Sequence, residues 1–248
     1  MVSRKRWLTA QTYERSYWER LANRIVSGVT GQLSWYEWKT SEMEKRLGNY
    51  FNTDEKQSAK VLEIGSGPVG IVSFLKWGKR YTVDPLEEFY RTNPVLTNLR
   101  DPVVYYAEGN GEQLSFKDLY FSLVILDNVL DHVHEAGSIL KEIYRVLSED
   151  GLLYLAVNVH AGVGTCLHSI LSRLKIDKGH PYTFTIKSVR CFLDGSSFSI
   201  VSESISDYYQ AREQDRRSAS LKSKIKGYTG LSEFVYYAVC QKKLSQKQ

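Results

Sequence analysis

Cysteine and proline are scarce in this sequence, and no stretch of it is dominated by a few residue types. Its 248 residues include 3 cysteines, 5 prolines and 17 glycines, which excludes collagen-like, disordered and disulfide-scaffold classes. Cys166, Cys191 and Cys240 form an odd set without a CxxC pair. A cysteine-based zinc site is therefore not expected, whereas a reducing, cytoplasmic location is.

Long apolar runs and a signal-peptide pattern are also missing. No run approaches the ~20 apolar residues that a membrane-spanning helix needs. Residues 1–40 are amphipathic and charged throughout, unlike a secretory leader. We therefore expect a soluble protein.

The net charge of +5 comes from one part of the chain. Residues 207–248 contain nine Lys or Arg against four Asp or Glu, a surplus equal to that of the whole sequence. Such a basic segment is more often a solvated surface than an RNA contact. Because no RNA-binding or zinc-finger motif accompanies it, nucleic acid is not the favoured partner.

The first fifty residues are typical of helices. Side chains from Tyr13 to Arg24 recur at spacings of three and four, and a second helical stretch follows at about 36–50. We predict a helical cap over residues 1–52 and a further domain over 53–248, the two forming one structural unit.

From residue 60 onward, short apolar runs alternate with helical stretches. This pattern predicts an α/β fold with a mostly parallel sheet and helices on both faces. The clearest helix, 135–147, is expected to end at Gly151, and others at 164–174 and 186–193. Strands on either side of a polar, basic connection (207–230) predict an antiparallel last strand. The seven predicted strands are residues 61–64, 81–83, 103–107, 121–126, 152–157, 198–206 and 232–239.

The most informative segment is residues 60–71, KVLEIGSGPVGI. A buried strand leads into a glycine turn, and a helix is expected to follow. Gly65 and Gly67 permit a tight turn and close approach of a ligand to the backbone. With Gly70 the segment also satisfies GxGxxG, and Asp84 follows Gly65 by 19 positions, so a dinucleotide and S-adenosylmethionine compete as cofactors.

Glu63 distinguishes between these two cofactors. A carboxylate two residues before the first glycine would repel a pyrophosphate but attract the ammonium of a methionyl group. Asp84, after a predicted strand, can accept hydrogen bonds from both ribose hydroxyls. The alternatives are a surface carboxylate for Glu63 and a helix N-cap before Pro85 for Asp84.

These motifs resemble class I S-adenosylmethionine-dependent methyltransferases, and within them the small-molecule, methyltransferase type 11-like group. The similarity covers about residues 60–160 and includes the segments at 81–84, 107–116, 123–132 and 139–158. The resemblance implies a seven-stranded Rossmann-like methyltransferase sheet with S-adenosylmethionine lying across the strand ends, and S-adenosylhomocysteine as its product.

The resemblance also implies a set of cofactor-binding residues along the strand ends. The family usually has an acid where this sequence has Asn110, whose amide oxygen can still accept a hydrogen bond from adenine. Asp127 and Asn128 end the fourth strand, where the methyl group should face the acceptor. The implied set is Glu63, Gly65, Gly67, Asp84, Pro85, Asn110, Gly111, Glu112, Asp127 and Asn128.

Histidine is the candidate proton acceptor, since oxygen and carbon nucleophiles must lose a proton. His132, His160 and His180 follow predicted strands in the half of the chain expected to hold the acceptor. A capping or packing role is the alternative for His132, and a lid or structural role for His180. No metal is expected, because Asn158 and His160 are poor partners for Asp127 in a magnesium site.

The aromatic residues of the cap have two interpretations. Core packing is favoured, and the alternative is that Tyr13, Tyr17 and Trp18 cover the cofactor and exclude water from it.

The sequence thus predicts an enzyme that transfers a methyl group from S-adenosylmethionine to an oxygen, nitrogen or carbon atom of a small molecule. The rival acceptors are RNA and protein. The rivals of another class are a non-catalytic S-adenosylmethionine-binding regulator and an NAD(P)-dependent oxidoreductase. The acceptor and the oligomeric state are not indicated by the sequence.

Overall fold

A computed structural model describes residues 2–28, 34–51, 53–161 and 182–243. The chain starts with α1 (Arg4–Val26) and α2 (Ser34–Leu47), followed by a 3-10 turn (Gly48–Tyr50) and α3 (Thr53–Ser58). Among the helices in these ranges, none is both long enough and apolar enough to span a bilayer.

Seven strands form one sheet in the order β3-β2-β1-β4-β5-β7-β6. Strands β1 to β5 pair in parallel, and β7 runs antiparallel to both of its neighbours. All seven predicted strands are present, so the predicted fold class is confirmed. Their bounds are β1 (Lys60–Ile64), β2 (Lys79–Asp84), β3 (Tyr105–Glu108), β4 (Phe121–Asp127), β5 (Leu147–His160), β6 (Phe198–Ile205) and β7 (Glu233–Lys242).

Apolar side chains cover both faces of the central strands, as parallel strands require. On one face, Leu62 of β1 packs in a cluster with α6 (Ala136–Val146) and α7 (Ile186–Asp194). On the other face, Val61 packs with residues of α1 and α2. Because side chains alternate along a strand, Glu63 of β1 lies on the face that the N-terminal helices cover.

The connection from β1 to β2 differs from the prediction. Instead of an α-helix, the glycine loop is followed by a 3-10 turn of four residues (Ile71–Phe74). Only eight residues separate Gly70 from β2, which leaves too little chain for a covering helix. Helix α2 packs there instead: the Thr40 hydroxyl donates to the Ile71 carbonyl at 2.7 Å, and Met43 is fully buried.

A buried ion pair joins the loops that follow β1 and β2. Arg100 donates to both carboxylate oxygens of Glu87, at 2.8 and 2.7 Å, and to the Pro68 carbonyl at 2.6 Å. Both charged side chains are less than one tenth exposed. Glu87 begins α4 (Glu87–Arg91), which is followed by α5 (Pro94–Thr97). This bidentate pair fixes the glycine loop relative to α4.

One prediction about the second half of the chain is wrong, and one connection contains helices that were not predicted. Helix α6 ends at Val146, and Gly151 lies within β5, where a Cβ would stand 2.7 Å from Leu147. The glycine there permits close packing rather than ending a helix. The connection at 207–230 contains two helices, α8 (Tyr208–Arg217) and α9 (Leu221–Thr229), capped by Asp207 and Ser220.

The remaining helix predictions have different outcomes. The helix predicted at 186–193 is confirmed as α7, which begins with a capping box between Thr185 and Ser188. The helix predicted at 164–174 lies outside the described residues.

Candidate functional site

A cavity of about 440 Å³ opens at the carboxyl ends of β1, β2 and β4, beneath α1 and α2. This edge, outside the carboxyl ends of the strands, is where ligands bind in open α/β sheets. Thirteen of the predicted site residues line the cavity. They are Tyr13, Tyr17, Trp18, Glu63, Gly65, Gly67, Asp84, Pro85, Asn110, Gly111, Asp127, Asn128 and His132.

The loop after β1 requires glycine at two positions. Gly65 and Gly67 have φ values of +68° and +62°, which favour residues without a Cβ. A Cβ on Gly65 would stand 2.5 Å from Val129, and one on Gly67 would stand 2.9 Å from Trp18. The Gly65 N–H donates to the Val83 carbonyl at 2.7 Å, so the loop is also held against β2.

Glu63 is a buried carboxylate inside the site. Its side chain accepts a hydrogen bond from the Val72 N–H at 3.0 Å, which holds the 3-10 turn. Burial raises the pKa of Glu63 to about 8, although hydrogen bonds from Val72 and Ile71 act to lower it. Because Glu63 is 3% exposed, its interpretation as a surface carboxylate is wrong.

Asp84 joins the glycine loop to the end of β2. One of its oxygens accepts from the Gly67 N–H at 2.9 Å, and the other accepts from the Leu86 N–H at 2.8 Å. Burial raises the pKa of Asp84 to about 7 against these two bonds. Each carboxylate oxygen has two acceptor positions, so both oxygens keep capacity for a ligand hydroxyl.

Helix α2 contributes two residues that the sequence analysis did not assign to the site. Tyr36 is 3% exposed, and its hydroxyl has no hydrogen-bond partner. The Lys39 ammonium lies 2.8 Å from Asp127. In the sequence, Tyr36 is one of several aromatic residues of the predicted cap, and nothing marked Lys39.

Several buried polar atoms around the cavity lack a protein partner. Unpaired buried groups are rare, and each one calls for an explanation. A polar ligand in the cavity would explain these. They are Gln11 Oε1, the Tyr36 and Tyr90 hydroxyls, and Asn128 Oδ1.

The first helix covers the glycine loop. The Trp18 indole packs on Gly67, and its N–H donates to the Glu14 carboxylate at 2.8 Å. The Trp18 and Tyr90 rings are in edge-to-face contact, with their centroids 6.2 Å apart. Trp18 is 5% exposed and belongs to the same apolar cluster as Val61. It therefore has the core role, and its ring also lies over the glycine loop.

Three predicted residues lie elsewhere. Glu112 does not line the cavity; its carboxylate accepts from the His134 and Glu135 N–H groups at the start of α6. His160 is buried at the end of β5, with Nε2 4.0 Å from Glu233, and does not line the cavity either. His180 lies outside the described residues. Of the three candidate bases, His132 is thus the one found at the cavity, with Nε2 3.7 Å from Asp131.

A second cavity of about 230 Å³ adjoins the first at the ends of β4, β5 and β7. The two cavities share Lys39, Asp127 and Asn128. Aromatic and amide side chains form most of the remaining wall. The other lining residues are Trp38, Glu42, Tyr154, Asn158, Val235 and Tyr237.

Within the described ranges, no group of three or more His, Cys, Asp or Glu side chains is placed to hold a metal ion. Asp127 is paired with Lys39.

The raised pKa values of Glu63 and Asp84 predict a pH-dependent stability. The folded protein retains protons that the unfolded chain loses near pH 4, so the free energy of unfolding falls as pH rises from about 4 to about 8. Glu63→Gln removes one contribution, worth at most about 1.4 kcal/mol per pH unit. Urea unfolding at pH 5, 6, 7 and 8 should show that the free energy of unfolding of Glu63→Gln increases relative to that of the wild type as pH rises. Glu88→Gln, at an exposed position, is the control, and parallel wild-type and Glu63→Gln curves would contradict the assignment.

Comparison with known proteins agrees with this geometry. The family model of a methyltransferase domain matches residues 62–155, from β1 into β5. A search of curated proteins finds no match.

Solved structures share the fold. A protein assigned as a sarcosine dimethylglycine methyltransferase of Galdieria sulphuraria is 16% identical, with a TM-score of 0.59 over 85% of this chain and 86% of that one. Phosphoethanolamine N-methyltransferase 2 of Haemonchus contortus, bound to phosphomonomethylethanolamine and S-adenosylhomocysteine, is 13% identical (TM-score 0.57; 82% of this chain, 52% of that one). The [4+2]-cyclase SpnF is 12% identical (TM-score 0.57; 84% and 81%). At these identities the likeness concerns the fold.

The family model covers the strands that build the cavity, and Glu63, the glycine loop and Asp84 all lie within it. The predicted resemblance to class I S-adenosylmethionine-dependent methyltransferases is confirmed in that residues 62–155 match a methyltransferase domain and solved methyltransferase structures share the fold.

Proposed function

We propose that this methyltransferase acts on an oxygen, nitrogen or carbon atom of a small molecule. The observation that carries the proposal is the pair of adjoining cavities, which meet at Lys39, Asp127 and Asn128. The larger one suits the cofactor, and the smaller one, at about 230 Å³, suits a compact acceptor. Pockets for small ligands typically measure about 300–1,000 Å³, so only a small molecule or a small part of one fits there.

The residues of the larger cavity fit the cofactor. Glu63 offers a carboxylate to the ammonium, Asp84 has acceptor capacity for ribose hydroxyls, and the unpaired Tyr36 and Tyr90 hydroxyls are available to further polar groups. When bound, S-adenosylmethionine supplies an electrophilic methyl group on a sulfonium. The protein then has to align the acceptor and exclude water, and Trp18 on the glycine loop serves the second task.

The basic helices α8 and α9 favour the small-molecule acceptor over RNA. Arg212 and Arg216 both donate to the Gly227 carbonyl, at 2.8 and 3.1 Å, so they hold the two helices together. Neither helix lines either cavity. An RNA acceptor would instead make transfer strongly dependent on salt.

The cofactor assignment is tested by calorimetry. The wild type should bind S-adenosylmethionine and S-adenosylhomocysteine in the micromolar range and should not bind NAD. Glu63→Ala should weaken binding of both by roughly ten-fold or more, the size of a lost charged hydrogen bond. Glu88→Ala is the matched control. Binding of NAD, or equal affinities in the wild type and Glu63→Ala, would contradict the role of Glu63.

The smaller cavity is tested by filling it. Val235 lines that cavity alone, so Val235→Trp should block the acceptor and leave the cofactor in place. Radiolabelled methyl transfer to a small-molecule library identifies an acceptor and distinguishes an enzyme from a binding protein. For that acceptor, kcat/KM should fall by about ten-fold or more, while affinity for S-adenosylhomocysteine changes less than about two-fold.

The control for this variant is Val201→Trp, on the exposed side of β6. Unimpaired transfer by Val235→Trp would place the acceptor elsewhere.

His132 is the proposed proton acceptor for an oxygen or carbon nucleophile. It lines the larger cavity, and the Asp131 carboxylate lies 3.7 Å from its Nε2. His132→Asn should lower kcat by about 10²–10⁴-fold, the usual contribution of a general base, and should remove the decline of kcat at acidic pH. Cofactor affinity should not change. The control is His134→Asn, which does not line the cavity, and an unchanged pH profile of kcat in His132→Asn would exclude the role.

A further inference from the structure

Helix α2 directs two polar side chains into the cofactor cavity. Tyr36 and Lys39 lie three residues apart, so they share one face of the helix, and both line the cavity. The neighbouring Thr40 donates to the Ile71 carbonyl at 2.7 Å. This bond anchors α2 to the turn that Glu63 also holds, so the position of Lys39 is set relative to the glycine loop.

The cavity wall is rich in carboxyl groups. Four carboxylates line it, those of Glu14, Glu63, Asp84 and Asp127. Among the lining residues that the structure describes, Lys39 is the only Lys or Arg. The methionyl end of the cofactor carries both an ammonium and a carboxylate. Lys39 is therefore the one cationic side chain in this wall that can pair with the carboxylate of the methionyl group.

Lys39 lies close to the acids that suit the ammonium. Burial is the main influence on the pKa of Glu63, but the Asp127 carboxylate raises this pKa and the Lys39 ammonium lowers it. The three side chains therefore interact electrostatically. Two carboxyl groups and one ammonium at the same end of the cavity form a complement to a zwitterion.

We propose that Lys39 binds the carboxylate of the methionyl group, while Glu63 and Asp127 face its ammonium. An ammonium has three donors, and the bond to Asp127 at 2.8 Å uses one of them. Two donors remain for the ligand. The ion pair with Asp127, whose side chain is 9% exposed, holds Lys39 at the junction of the two cavities. The proposal rests on the cofactor assignment and is independent of the acceptor.

The alternative is that Lys39 only neutralises Asp127. Binding of the methionyl carboxylate by Lys39 can be distinguished from neutralisation of Asp127 by changing the ligand rather than the protein. S-adenosylhomocysteine carries the carboxylate, its carboxamide has lost that charge, and 5′-methylthioadenosine lacks the amino acid altogether. A residue that binds the carboxylate affects only the first of these ligands.

Calorimetry with these three ligands tests the proposal. The wild type should prefer the acid over the carboxamide by roughly ten-fold or more, as for a charge-assisted bond. Lys39→Gln should abolish that preference and leave affinity for 5′-methylthioadenosine within about two-fold. Lys39→Arg should retain part of the preference because it retains the charge.

Removing Lys39 alone leaves Asp127 buried without its partner, which destabilises a fold. The double variant Lys39→Gln/Asp127→Asn removes both charges, and it too should not discriminate between acid and carboxamide. Thermal unfolding of each variant confirms that it is folded.

Three results would overturn the proposal. They are retention of the preference in both Lys39→Gln and Lys39→Gln/Asp127→Asn, absence of the preference in the wild type, and an equal loss of affinity for all three ligands, which would mean that Lys39 merely holds α2. If the wild type bound none of the nucleosides, the cofactor assignment would fail, and this proposal would fall with it.

Discussion

Two carboxylates buried at the ends of neighbouring parallel strands hold the glycine loop, and the rest of the site depends on them. Glu63 bonds to the Val72 N–H beyond the loop, and Asp84 bonds to the Gly67 N–H within it. Because the two strands pair in parallel, their carboxyl ends meet at one edge of the sheet. The backbone of the loop is therefore fixed before any ligand arrives.

This arrangement uses groups that are costly to bury. Taking a carboxylate out of water disfavours its charged form, and burial raises the pKa of Glu63 to about 8 and that of Asp84 to about 7. Two backbone N–H groups compensate for each only in part. A ligand with an ammonium and hydroxyl groups supplies what the protein lacks, so the groups that are costly to bury are those proposed to bind the cofactor.

The short connection between β1 and β2 explains why the N-terminal helices belong to the site. With a 3-10 turn in place of a covering helix, one face of β1 and β4 needs other apolar partners. Trp18, Tyr36 and Met43 provide them, and this brings α1 and α2 over the glycine loop. Hence the side chains that complete the core also close the larger cavity.

The sequence alone was sufficient to predict the features that depend on residues close together in the chain. Alternating apolar runs predicted all seven strands, and the glycine pattern with Glu63 and Asp84 predicted the edge of the sheet where the larger cavity lies, since each depends on residues close together in the chain. Glu112 was assigned to the cofactor site because the family resemblance implied it, but its carboxylate accepts hydrogen bonds from N–H groups more than twenty residues away. Lys39 has no local signal, because its partner Asp127 is 88 positions distant.

The alternation of side chains along the strands accounts for that distant pair. Glu63 lies opposite Ile125 in the pairing of β1 with β4, and Asp127 follows Ile125 by two positions, so Glu63 and Asp127 project from the same face. That face is the one that α2 covers. The strand register thus places two acids beneath one helix, where a cation at position 39 can meet Asp127. A change of register by one residue would turn Asp127 to the opposite face, and Lys39 would lose its partner. The charge pattern at the proposed methionyl end therefore follows from sheet pairing rather than from any motif in the chain.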